Sequence, residues 1–194
     1  MDRNVDWKAW RRQTRERLIA ERLTRSAAER EDIARRVCGK LDPLAGLSPG
    51  EIVSFYWPFK GELDLRKWIL ALHERGIRSA LPVVTVKQRP MQFRLWAPGV
   101  KMERGIWNIP VPADATPVTP DLVIAPLVGF DDACFRLGYG GGYFDRTLAE
   151  LRPKPRTIGV GTSSSRLASI RPQPHDVPMD LIVTEELVID RKAN

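Results

Sequence analysis

The chain has 194 residues, 43% of them hydrophobic and 28% charged, which is the balance of one soluble globular domain spanning 1–194. No apolar run approaches the roughly 20 residues that span a bilayer, and the charged N-terminus has no apolar signal core, so membrane and secreted classes are excluded in favour of the cytoplasm. The net charge is +7, and residues 1–40 supply +5 of it (12 Lys/Arg against 7 Asp/Glu). Its basic residues alternate with acids at helical spacing, as in Arg12/Glu16 and Arg17/Glu21, which favours solvated helix faces over a nucleic-acid surface.

Residues 6–23 read as a helix with Trp7, Trp10, Leu18 and Ile19 at apolar positions. Ser26 to Glu29 has the pattern of a capping box, and it opens a second helix with Ile33, Val37 and Leu41 on one stripe. Pro43 to Pro49 is a predicted turn. Glu51–Tyr56 is a predicted strand, Leu63–Arg75 a helix stopped by Gly76, and Ser79–Val84 and Met91–Trp96 two further strands, with Pro82 inside the first. The Pro- and Gly-rich residues 98–120 read as a long loop. Asp121–Pro126 is a short apolar strand of the kind buried on both faces. A glycine-rich loop follows it, then a helix over 143–151, a strand over 157–160, an irregular stretch over 162–179 and a final strand over 181–184. Alternating strands and helices predict an α/β domain with a mostly parallel sheet, and ligands in such sheets sit at the carboxyl ends of the strands.

Three segments on that rim carry chemistry. Arg136-Leu137-Gly138-Tyr139-Gly140-Gly141-Gly142-Tyr143-Phe144-Asp145 follows a buried strand and opens a helix. Glycines let backbone amides approach phosphate oxygens, and the helix N-terminus adds partial positive charge. Arg136 suits a phosphate as a planar fork, and Asp145 suits Mg²⁺. The loop is neither a Walker A sequence nor the dinucleotide fingerprint. Tyr56 to Asp64 places aromatics at a strand's carboxyl end, with Glu62 either an acceptor for ring N–H groups or a helix-start carboxylate. His175-Asp176 is an acid–base or metal candidate, or a hydrogen-bonded turn. Two histidines exclude a multi-His zinc site, and Cys38 and Cys134 form neither a disulfide framework nor a CxxC metal pattern.

In this order, the segments resemble the 5-formyltetrahydrofolate cyclo-ligase family from about Lys8 to Thr184. The resemblance rests on Phe130-Asp131, the loop from Arg136 to Arg146, Gly61-Glu62-Leu63-Asp64, Leu81-Pro82 and His175-Asp176. It implies a three-layer α/β/α sandwich with a Rossmann-like sheet, preceded by two N-terminal helices. It also implies conversion of 5-formyltetrahydrofolate to 5,10-methenyltetrahydrofolate with ATP and Mg²⁺ by a monomer that uses neither nucleic acid nor membrane.

By the same resemblance, Lys8 and Arg12 contact ATP, and Arg136 to Phe144 (Leu137, Gly138, Tyr139, Gly140, Gly141, Gly142 and Tyr143 between them) hold its phosphates. Lys8, Arg136 and Tyr143 are the catalytic candidates. Trp57, Glu62 and Tyr139 to Tyr143 face the folate, and Asp145 and Asp176 hold Mg²⁺. Three positions depart from the family pattern: Cys134 where glycine is usual, Val111 where Ile-Pro-Glu-Pro has its carboxylate, and a serine within Ser163–Ser165 for a glutamine. The alternative is a paralogue that keeps the ATP site and acts on another formamide or carboxylate.

Overall fold

In the computed structural model, which describes residues 6–193, the chain begins with helices α1 (Trp7–Leu23) and α2 (Ala27–Ala45). Strand β1 (Ile52–Ser54), helix α3 (Arg66–Glu74) and strands β2 (Arg78–Val83) and β3 (Gln92–Trp96) come next. Short strands follow: β4 (Met102–Arg104), β5 (Pro110–Pro112), β6 (Pro117–Val118), β7 (Leu122–Pro126), β8 (Gly129–Phe130) and β9 (Arg136–Leu137). Helix α4 (Tyr143–Glu150) and strands β10 (Arg156–Val160), β11 (Leu181–Val183) and β12 (Val188–Asp190) complete the order.

Local chemistry explains the helix starts. The Asp6 side chain accepts from the amides of Lys8 and Ala9 and caps α1. Ser26 and Glu29 form the reciprocal capping box of α2. Pro43 does not break α2, contrary to the expected turn: the helix runs through it to Ala45 and ends at Gly46 in the left-handed region. Leu41 and Ala45, almost fully buried, hold that last turn against the sheet, and their burial offsets the hydrogen bond that proline forfeits. Helix α3 starts at Arg66 rather than Leu63: Leu63 and Leu65 are buried in the non-helical chain before it, and Asp64 accepts from the Arg66 amide.

The main sheet has the order β12-β11-β10-β7-β1-β2-β3-β6. Its five central strands, β11 to β2, are parallel; β12 pairs antiparallel with β11, β3 with β2, and β6 with β3. Pro82 is accommodated because β1 pairs with β2 only as far as Ala80. Alternate residues bury on opposite faces. Val53, Leu122, Ile124, Ile158 and Val183 pack with α2 and α3; Ile52, Val123, Ala125 and Ile182 pack with Leu148 of α4. This is the expected three-layer arrangement, and both N-terminal helices are present, with α2 forming part of one layer.

From β1 the chain winds through α3 to β2 on one side; from β7 it winds through α4 to β10 on the other. The winding direction therefore reverses between β1 and β7, where a doubly wound sheet leaves its crevice.

Two expectations need correction. Residues 98–120 contain a hairpin, β4 paired with β5, and the edge strand β6. The prolines sit at strand ends and on an edge, where a missing N–H costs no ladder bond, so composition alone hid the pairing. The strand over 181–184 is also not the last, since β12 pairs antiparallel with it.

Candidate active site

The loops leaving β1 and β7 diverge at the switch point, and between them opens a cleft of about 710 Å³. Its walls are completed by one face of α1, the β4–β5 hairpin, the β2–β3 ends and His175–Asp176.

Strands β8 and β9 deliver the glycine loop to this cleft. Asp131 closes their turn, with Oδ1 accepting from the Phe135 amide at 3.1 Å and Oδ2 from the Ile170 amide at 2.9 Å. Cys134 occupies the bulge position of the turn at φ 63° and is fully buried. Glycine is the residue for such a position, since any Cβ there costs about 1–2 kcal/mol. Cys134→Val is therefore expected to destabilise the chain by roughly 2–3 kcal/mol in denaturant unfolding, because a branched Cβ fits this conformation worst. Cys134→Gly is expected to stay within about 1 kcal/mol of the parent, as relieved backbone strain offsets lost packing.

Arg136 is 4% exposed, lies on the Phe144 ring with 5.0 Å to the centroid, and donates from Nη2 to Asp145 Oδ2 at 3.0 Å. Its Nε has no partner, which leaves this buried guanidinium with unmet donor capacity on the cleft wall. Gly138 leaves room for it: a Cβ there would stand 2.6 Å from Arg136 Nη1. Gly142 precedes α4 at φ 63°, and no side chain caps that helix. The first-turn amides are therefore open to an anion. Tyr143 meets Trp107 edge-on at 5.4 Å, and its hydroxyl accepts from the Gln88 amide at 3.3 Å.

Helix α1 supplies the opposing cations. Lys8, Arg11 and Arg15 line the cleft, whereas Arg12 is exposed and stands outside the lining. Of the two residues the resemblance implies, Lys8 lines the cleft and Arg12 does not; Arg11 and Arg15 stand with Lys8 on one helical stripe at intervals of three and four. Arg15 Nε donates to the Gly138 carbonyl at 2.7 Å. Burial, and after it the neighbouring Arg11 charge, lower its pKa, and an incoming anion would relieve both effects. Arg11 donates to the carbonyls of Ile170 and Arg171 and pairs with Asp176. Burial alone would raise Asp176, but hydrogen bonds from Arg11 and the Gln173 amide outweigh it and hold the carboxyl below its usual range.

Trp57, Glu62, Leu81, Val84, Met91 and the hairpin residues Ile106, Ile109 and Val111 form the other, largely apolar half. Trp57 meets Trp96 edge-on and carries the Arg66 guanidinium on its ring at 4.9 Å. Glu62 Oε2 accepts from the Phe59 amide at 2.9 Å. The residue keeps an edge toward the cleft, yet its carboxyl is largely withdrawn from water, and this desolvation pushes its pKa up to about 7.

Asp145 and Asp176 share a wall, since Asp145 Oδ1 accepts from the Val177 amide at 3.3 Å. Each is already paired with an arginine, and no group of three or more His, Cys, Asp or Glu among the described residues forms a metal cage. Their chemistry fits a cation that arrives with phosphates, where one or two carboxylates suffice. His175 lines the cleft with a mostly exposed ring.

Of the three departures, Val111 lines the cleft; Cys134 acts on the loop's backbone; Ser165 lies outside the lining and donates to the Thr162 carbonyl. Sequence reading missed Arg11, Arg15 and Trp107. A helical wheel of α1 would have flagged both arginines; Trp107 had no signal, because its wall is made by cross-strand pairing.

A doubly wound α/β domain with a glycine loop and clustered cations at its switch point defines a protein that binds an anionic small molecule beside a flat, apolar one. The pattern of the 5-formyltetrahydrofolate cyclo-ligase family matches residues 7–185, and the chain belongs to that family. It is 31% identical over 181 residues to the 5-formyltetrahydrofolate cyclo-ligase of Mycolicibacterium smegmatis, covering 89% of this chain and 92% of the relative. Over 143 residues it is 31% identical to the protein of that name from Escherichia coli K12, covering 70% of this chain and 79% of the relative. The NMR structure of Aquifex aeolicus 5,10-methenyltetrahydrofolate synthetase superposes with a TM-score of 0.80 at 26% identity, covering 94% of this chain and 93% of that one.

Proposed function

We propose that this chain closes 5-formyltetrahydrofolate to 5,10-methenyltetrahydrofolate, consuming ATP and releasing ADP and phosphate. The observation that carries the reading is a single cleft with two chemically distinct halves. Lys8, Arg15, Arg136 and the glycine-loop amides suit a polyphosphate; Trp57, Tyr143, Glu62 and the apolar wall suit a flat heterocycle with N–H donors.

A formamide oxygen is a weak nucleophile and a poor leaving group. Transfer of the γ-phosphoryl to it creates a good leaving group, after which N10 attacks the same carbon, the N10 proton is lost to solvent or to the departing phosphate, and the C–O bond breaks with loss of phosphate. Lys8, Arg15, Arg136 and the amides of residues 138–142 orient the phosphoryl group and stabilise the charge that builds on it. Tyr143 and Trp57 hold the ring so that the formyl oxygen faces the loop. No protein nucleophile is needed. Magnesium bound with the phosphates would add charge neutralisation, with Asp145 and Asp176 as its carboxylates.

Three of the basic residues of α1, Arg11, Arg15 and Arg22, are turned inward and engaged. This supports a small-molecule role over a nucleic-acid one. No helix among the described residues is long and apolar enough to cross a membrane. The two free thiols, Cys38 and Cys134, suit the cytoplasm.

Mixing the protein with 5-formyltetrahydrofolate and Mg-ATP is expected to produce the methenyl absorbance, and omission of ATP to abolish it. ATP binding without that absorbance would sink the folate reading and favour a paralogue with another formamide or carboxylate substrate, for which the apolar Val111 at the cleft is the observation in favour.

A further inference from the structure

Arg22 lies on α1, about three turns beyond Arg11, and is not part of the cleft lining. It is nevertheless 8% exposed. Burying a guanidinium is costly unless its donors are met. Here they are met by two structural parts that must agree for the cleft to work. Nη2 donates to the Leu127 carbonyl at 2.7 Å, where the chain leaves β7. Nη1 donates to the Tyr139 hydroxyl at 3.0 Å, inside the glycine loop. That hydroxyl in turn donates to the Phe59 carbonyl at 3.4 Å, and the Phe59 amide donates to Glu62 at 2.9 Å. Arg22 and Glu62 also border a second cavity of about 10 Å³ with Tyr56 and Thr162, directly behind the cleft.

We propose that Arg22 is a positioning residue for the folate half of the cleft: it fixes the Tyr139 hydroxyl and supplies the cation that faces the Glu62 carboxyl. The proposal rests on the folate reading above for its kinetic consequence, but not for its electrostatic one. The charged or titratable groups facing Glu62 are Arg22 from α1, Tyr139 from the glycine loop and Tyr56 from the end of β1. Both tyrosine hydroxyls are desolvated and stay neutral. Arg22 is thus the positive charge that opposes desolvation of the carboxylate. Without it, Glu62 holds its proton at neutral pH and no longer presents two acceptor oxygens to a ring N–H.

The test uses Arg22→Met, which keeps the length and removes the charge, and Arg22→Lys, which keeps the charge but cannot fork to Leu127 and Tyr139 together. Carboxyl NMR of the substrate-free protein is expected to show Glu62 titrating about one pH unit higher in Arg22→Met and near its parent value in Arg22→Lys. In the methenyl assay, Arg22→Met is expected to raise the folate KM roughly 3-fold at pH 7.5, with recovery at higher pH and little change in the ATP KM. A Glu62→Gln background is expected to remove the pH-dependent part of that effect. An unshifted Glu62 titration in folded Arg22→Met overturns the proposal. So does an equal loss for both substrates with an unchanged pH profile, which is what a purely structural role gives. If the parent protein forms no methenyl product, the folate reading fails and the titration alone decides the role of Arg22.

Discussion

Arg136→Lys is expected to lower kcat by roughly 100- to 1,000-fold while the protein stays folded. Lysine keeps one positive charge but loses the planar fork that lets Arg136 hold Asp145 from Nη2 with donors to spare. Charge that accumulates on the transferring phosphoryl group would then meet a point cation whose position nothing fixes, because the Phe144 ring that packs under the guanidinium has no flat partner. Arg136→Ala is expected to be worse in two ways. It removes the donor altogether, and it strands the Asp145 carboxylate, 14% exposed, without a counter-charge. Breaking a buried pair from one side costs about 3–5 kcal/mol, so this variant should unfold at markedly lower denaturant. A kcat for Arg136→Lys within a factor of three of the parent would remove Arg136 from the phosphate site.

Glu62→Gln is expected to make the protein more stable and less active. The Glu62 pKa is raised from an ordinary 4.5 to about 7, chiefly by burial. The folded state therefore holds this proton more tightly than the unfolded chain does. Below about pH 4.5 the carboxyl is neutral in both states and burial carries no charge penalty. As pH rises toward 7 the unfolded chain ionises first and stability falls, until the full penalty is present above pH 7. That penalty is up to about 3 kcal/mol. Glutamine cannot ionise, so the variant should gain melting temperature at pH 8, show no gain at pH 4.5, and flatten the profile between. The same change removes one acceptor oxygen from the cleft, and the folate KM should rise roughly 10-fold or more. Equal melting temperatures of parent and variant at pH 8 would show that the carboxyl is not held at strain. A carboxylate kept where it weakens the fold is the mark of a group placed for binding.

The cleft was legible in the sequence wherever a single segment carries its own geometry. Arg136 to Asp145 could be read as a phosphate loop because glycines, the flanking arginine and the helix start are contiguous, and the structure brings all of them to one wall. Trp57 and Glu62 were likewise legible as residues following a strand's carboxyl end, and His175-Asp176 as an acid–base or metal candidate; all four reach the same cleft. The departure at Cys134 was visible as a residue standing where glycine is usual, and its φ of 63° gives the reason that glycine is usual.

Other parts could not be read locally. Arg12 was favoured over Arg11 and Arg15 by motif spacing, but which side of α1 meets the loop depends on how the helix rests against Gly138, Leu127 and Ile170. The 98–120 segment looked irregular because its pairing partner lies across a turn in which Trp107 and Asn108 both adopt positive φ. Pro43 looked like a stop because proline's penalty is local, whereas the burial of Leu41 and Ala45 that outweighs it is not.

The sequence by itself determined the alternation of strands and helices, the glycine loop and the family, since periodicity, caps and contiguous motifs are properties of neighbouring residues. Only the tertiary structure decided which arginines of α1 line the cleft, that Asp145 and Asp176 stand paired with Arg136 and Arg11, and that Glu62 sits opposite Arg22. These depend on desolvation and, for Arg11 with Asp176 and Arg22 with Tyr139, on groups brought together from positions more than 100 residues apart along the chain, which no local pattern encodes.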